Sequence, residues 1–263
     1  MYLSVTTRRP EAARDAPPLV FVHGICQASW CWEEHFLPWF AERGFEVHAL
    51  DLRGHGASDS DRSLRRLRID HHVADVDAVV RALERPPVLI GHSMGGLVVQ
   101  RYLEDHRLPG AVLIAPVPVG GVRGATLRTL RRHPLVFARL TLGLHLWPLV
   151  RTPDLAREHM FTPDADPAET DRHIARLEDD SYLTFLDMLA FRRPRPDRID
   201  TPVMIIAGER DGLFTLDEMM RTAEAYGEAP VVIPGAGHEV MLDPGWELAA
   251  GAMLRWLEDL PVT

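Results

Sequence analysis

Gly91-His92-Ser93-Met94-Gly95-Gly96 directly follows the apolar run Val88-Leu89-Ile90 and precedes Leu97-Val98-Val99-Gln100-Arg101-Tyr102-Leu103. That order reads strand, sharp turn, helix. A G-x-S-x-G at such a junction strains the serine backbone and lifts its Oγ above the sheet edge, where a nucleophile is useful. Small residues flank it because a side chain there would strike the strand or helix that the turn brings close.

Outward from this turn, short β-rich runs recur at Leu19–Val22, Glu46–Leu50, Val88–Ile90, Ala111–Ile114, Val203–Ile206 and Pro230–Ile233. Near-continuous apolar runs mean strands buried on both faces, the mark of a mostly parallel central sheet flanked by helices. Helical patterns lie between them, at Trp32–Arg43, Ile69–Glu84, Gly95–His106, Leu216–Tyr226 and Gly245–Leu260. In the second of these, Val73, Val76, Val79, Val80 and Leu83 share one face. The alternation breaks between Pro116 and Arg198, where no strand-like run occurs. The expectation is an α/β core from 1–116 and 199–263 with a helical cap inserted at 117–198, over the strand ends where open α/β sheets bind ligands. Within the cap, the apolar stretch that contains Leu146 and Trp147 is read chiefly as packing, with these two residues as candidates for a lipophilic substrate wall.

Composition narrows the chemistry. The chain has 263 residues, a net charge of −9, and all 29 of its basic residues are arginine. Without lysine there is no Schiff base, no pyridoxal-phosphate anchor and no P-loop cation. No basic run alternates with aromatics, which argues against nucleic acid as a partner. Cys26 and Cys31 have the wrong number and spacing for a zinc site and read as reduced thiols. Neither a cofactor nor a metal is expected. Met1 to Pro18 carries no apolar signal segment, and Pro134 to Val150 is interrupted by Arg139 and His145 and falls short of a membrane span. A cytoplasmic protein is expected, with a small hydrophobic substrate as its partner. Oligomeric state is left open.

A serine hydroxyl is a feeble nucleophile at neutral pH and needs a base and an acid to orient that base. Chain order Ser, then Asp or Glu, then His, is expected of such a fold. The strand ending at Ile206 runs into Gly208-Glu209-Arg210-Asp211, and the strand ending at Ile233 into Gly235-Ala236-Gly237-His238. Asp211 is the candidate acid and His238 the candidate base, both on the sheet edge that carries Ser93. Glu209 is read as an arginine partner or a solvated group. The backbone N–H of Met94 and that of Ile25, in the loop His23-Gly24-Ile25-Cys26, are the candidate donors to an oxyanion. His23 is read as a loop support and His92 as packing.

These motifs, with Asp51-Leu52-Arg53-Gly54-His55-Gly56-Ala57-Ser58, resemble the α/β-hydrolase family in its serine-hydrolase, esterase- and lipase-like branch with a helical cap. Dehalogenases and epoxide hydrolases of that family place aspartate where Ser93 stands. The plant lyases place lysine after the base, where this chain has Glu239. The resemblance implies cleavage of a carboxylic ester with a small to medium acyl group through an acyl-enzyme on Ser93. Lactone opening, acyl transfer and carbon–carbon bond hydrolysis use the same residues. A receptor-like protein that binds without turnover shares the fold.

Overall fold

The computed structural model describes residues 1–260. Seven strands form one sheet: β1 (Val5–Arg8), β2 (Leu19–Val22), β3 (Val47–Leu50), β4 (Val88–His92), β5 (Gly110–Ile114), β6 (Val203–Gly208) and β7 (Val231–Ile233). Their spatial order is β1-β3-β2-β4-β5-β6-β7, and every pair is parallel except β1 with β3. The five inner strands β2 to β6 are buried along their whole length, as mostly apolar runs require of a sheet covered on both faces. All six runs read from the sequence are strands. β1 was not legible: Val5-Thr6-Thr7-Arg8 is a half-exposed antiparallel edge, so it carries no apolar run.

On the two faces lie α1 (Trp30–Glu33), α2 (Phe36–Glu42), α3 (Ile69–Ala82) and α4 (Ser93–Leu103). The single helix expected over Trp32–Arg43 is two, broken where His35 leaves helical geometry (φ −132°). Phe21, Trp32, Phe36 and Phe40 pack as one aromatic cluster beneath them.

Between β5 and β6 the chain forms five α-helices, besides short 3-10 and π turns: α5 (Arg123–Arg132), α6 (Pro134–Gly143), α7 (Pro153–Met160), α8 (Pro167–Ile174) and α9 (Tyr182–Leu186). Caps explain several of their starts. Thr152, Asp166 and Ser181 each accept a hydrogen bond from a first-turn amide, and proline occupies the first turn of α6, α7 and α8. The chain then returns to the core for α10 (Leu216–Glu224) and α11 (Trp246–Glu258).

Candidate active site

The turn from β4 into α4 places Ser93 with φ +50°, a left-handed conformation that L-residues seldom adopt. The helix begins at Ser93 itself, two residues before the sequence pattern suggested. A Cβ on Gly95 would collide with the carbonyl oxygens of Val22 and His23, which is why the turn can close against β2 only with glycine at this position.

Three loops at the same strand ends meet here. Ser93 Oγ lies 2.9 Å from His238 Nε2 and can donate its hydroxyl hydrogen to it. His238 Nδ1 lies 2.8 Å from Asp211 Oδ2. The other Asp211 oxygen accepts the backbone N–H groups of Leu213 (2.8 Å) and Phe214 (2.9 Å), so the carboxylate cannot rotate away. The structure thus brings together the three residues singled out in the sequence, although Ser93 lies more than a hundred positions from both Asp211 and His238. Glu209 is exposed and accepts the amide of Gly235 (2.8 Å), with no arginine partner among the described residues.

Ile25 and Met94 flank the serine. Among the described residues the Ile25 N–H meets no protein acceptor, whereas the neighbouring amides of Gly24 and Cys26 are taken by Gln27 Oε1 and Asp180 Oδ2, and Met94 is the second residue of α4, where an N–H has no partner within its own helix. The loop is braced from below. His23 Nε2 accepts the Leu52 amide (3.1 Å), so its proton sits on Nδ1, which faces the Gly24 carbonyl (2.8 Å). Burial, with His55 beside it, holds His23 down at about 3, so it stays neutral. Asp180 brings the α8–α9 segment onto the same loop. Burial opposes its charge, but His55 at 3.2 Å and the Cys26 amide outweigh burial and hold its carboxyl at about 2.

Sequence reasoning missed the polar row behind His238. Gln27 Nε2 donates to Glu239 Oε2 (2.7 Å), Gln27 Oε1 faces His92 Nδ1 (3.2 Å), and His92 Nε2 lies 3.1 Å from the His238 carbonyl. Burial, then the proximity of His238, pushes His92 well below 6.5, so its neutral ring can donate to one of those two acceptors at a time. Glu239, fully buried, is pushed up to about 7. A glutamate next to the candidate base was the available signal; its link to Gln27 spans more than two hundred positions.

The electrostatics of His238 set a pH dependence. Burial alone would lower it, but the Asp211 carboxylate, by charge and hydrogen bond, and the nearby Glu239 and Asp243 outweigh burial and raise it above 6.5. Below that ionisation Nε2 carries a proton and cannot accept one from Ser93; above it the base is free. If Ser93 and His238 act as nucleophile and base, kcat/KM rises with pH along a limb centred above 6.5. A pH–rate profile with its acid limb below 6 would contradict this arrangement.

The site opens into a cavity of about 100 Å³ between the sheet edge and helices α5, α6, α7 and α9. Its wall is apolar, formed by residues such as Val122, Phe137, Leu140, Leu149, Met188 and Phe214, with Ser93, His238, His92 and Glu239 at one end. Leu146 and Trp147, read from the sequence chiefly as packing and as candidates for the substrate wall, do not line it. Leu146 is fully buried, and the amides of both bind Asp179. Leu144 takes a left-handed conformation (φ +51°) at the end of α6, and the chain that follows carries Leu146 and Trp147 off the cavity before Leu149 and Val150 return to it. His92, His238 and Glu239 offer ring nitrogens and a carboxylate oxygen within 4.8 Å of one another. His238 is already engaged on both ring nitrogens, so this group is a poor metal cradle. Cys26 and Cys31 are buried free thiols, and burial raises both well above their ordinary range.

Residues 19–250 match the alpha/beta hydrolase family, and the chain belongs to it. Among curated relatives, the chain is 40% identical over 111 residues to a non-heme chloroperoxidase of Burkholderia pyrrocinia, covering 40% of this chain and 39% of the relative. It is 41% identical over 110 residues to a bifunctional esterase/perhydrolase of Acinetobacter calcoaceticus, covering 40% and 38%. The matched segment thus spans about two fifths of these relatives' length. Among solved structures, the monoacylglycerol lipase of Paleococcus ferrophilus superposes with a TM-score of 0.73 at 23% identity, over 98% of each chain, a likeness of fold. Among the described residues no helix is long and apolar enough to cross a membrane.

Proposed function

We propose that this hydrolase cleaves carboxylic esters with a small to medium hydrophobic acyl group. The observation that carries this reading is the hydrogen-bonded row Asp211–His238–Ser93 at the end of an apolar cavity. His238 takes the Ser93 proton as Oγ attacks the carbonyl carbon, and the amides of Met94 and Ile25 receive the developing oxyanion, each such donor being worth about 3 kcal/mol. His238 then protonates the leaving alcohol. An acyl-enzyme on Ser93 remains, and His238 activates the water that releases the acid. Asp211 holds the proton on Nδ1 throughout and stabilises the imidazolium. The esterase named among the relatives supports the reaction type. Carbon–carbon cleavage of an acidic diketone would call for cations near the site, and Arg123, Arg128, Arg131 and Arg132 do not line the cavity.

The test is initial rates on p-nitrophenyl esters from acetate to palmitate. An optimum at short to medium chain length is expected. Leu140→Phe should move it shorter by about two carbons, because each methylene lost from an apolar pocket is worth roughly 1–3 kcal/mol. Trp147→Ala should leave it in place. No turnover of any ester in the series would overturn the proposal.

A further inference from the structure

The outer surface of α5 and α6 is unlike the rest of the molecule. From residue 106 to residue 153 the sequence has no aspartate or glutamate but has seven arginines, in a protein whose net charge is −9. Arg123, Arg131, Arg139 and Arg151 are exposed and pair with no carboxylate among the described residues. Leucines stand among them. On α6, Leu135, Ala138, Arg139 and Leu142 recur at i, i+3, i+4 and i+7 and form one solvent-facing stripe, with Leu135 72% and Leu142 86% exposed. On α5, Leu127, Leu130 and Arg131 do the same, and Leu144 extends the patch past the end of α6. The two helices pack together, and their inner residues Ala125, Thr129, Phe137 and Leu140 line the cavity that reaches Ser93.

A stripe of exposed leucines flanked by unpaired cations has a short list of complementary surfaces. Arg128 and Arg132 are paired with Glu218 and Glu158, but a symmetric contact with a second copy would set the unpaired arginines of this face against one another, a like-charge juxtaposition. An anionic lipid surface complements both features at once: the leucines enter the acyl boundary and the guanidinium groups meet phosphate. We propose that α5 and α6 dock this protein on anionic phospholipid membranes, with the outer wall of the cavity against the lipid. Lipid-dissolved molecules would then be delivered to the helices that enclose the cavity, whether or not they are turned over.

The experiment is flotation of the full-length protein with vesicles of phosphatidylcholine alone or with 30% phosphatidylglycerol, at 20 and 500 mM NaCl. Binding at least tenfold tighter to the anionic vesicles, released by the higher salt, is expected. The double variant R131Q/R139Q should weaken anionic binding about fivefold per charge removed, and L135S/L142S should weaken it at least tenfold. All four positions are exposed, and unchanged melting temperatures would show that the variants remain folded. No binding to either vesicle, or binding undiminished in both double variants, would overturn the proposal. So would a dimer in sedimentation equilibrium that L135S/L142S dissociates, which would assign the face to a second copy.

Discussion

Ser93→Ala is expected to lower kcat on p-nitrophenyl esters by roughly a millionfold, the scale found when a serine protease loses its nucleophile. The loss is so large because no other group can take over the attack. Cys26 lines the same cavity, but burial raises its thiol far above the range in which a thiolate forms at neutral pH. The alanine should be accommodated without rearrangement, since among the described residues the Ser93 side chain is hydrogen-bonded only to His238, and the left-handed backbone is imposed by the glycine-flanked turn around it. Substrate-like ligands should still bind. Parallel initial rates for the two proteins decide the matter: equal rates would remove Ser93 from the chemistry, and with it the ester-hydrolase reading.

Asp211→Asn should lower kcat by about ten-thousandfold while leaving the fold intact, as the matching change does in a serine protease. The hydrogen bonds around the carboxylate show why. Leu213 and Phe214 donate to Oδ1, so an asparagine must keep its oxygen there and turn its amide nitrogen toward His238. Nδ1 then becomes an acceptor, and the ring proton moves to Nε2. Facing Ser93 Oγ with a proton already in place, Nε2 cannot act as the base. The variant should regain rate at high pH, where hydroxide can substitute for the missing base, and its melting temperature should stay near that of the wild type. Retention of more than about a tenth of wild-type kcat would show that Asp211 does not orient the ring.

The roles of neighbouring residues divide along physical lines. His92, Gln27 and Glu239 are fully buried and join one another and the His238 carbonyl, so they hold His238 from behind. Asp51 does the same for the loop before α1, accepting the Ser29 amide at 2.7 Å and the Ala57 amide at 3.0 Å. That contact explains why Asp51 and Ser58 stand at the two ends of one turn-rich segment, as Ser58 Oγ donates back to the Asp51 carbonyl at 2.6 Å.

What the chain could tell in one dimension follows from local rules. Parallel strands buried on both faces need continuous apolar runs, and a strained strand-to-helix turn needs glycine beside its serine, so β2 to β7, Ser93, Asp211 and His238 were all legible as patterns along the sequence. β1 was not, because an exposed edge strand of four residues makes no demand on hydrophobicity. Other features depend on distance in space. The chain after the left-handed Leu144 carries Leu146 and Trp147 off the cavity, and only the packed helices show that Leu140 and Phe137 reach it instead. The contacts of Gln27 with Glu239 and of Asp180 with the Cys26 amide join residues 212 and 154 positions apart. No periodicity encodes such pairings, because they arise when buried polar groups, cut off from water, must find partners among whatever the folded chain brings near them.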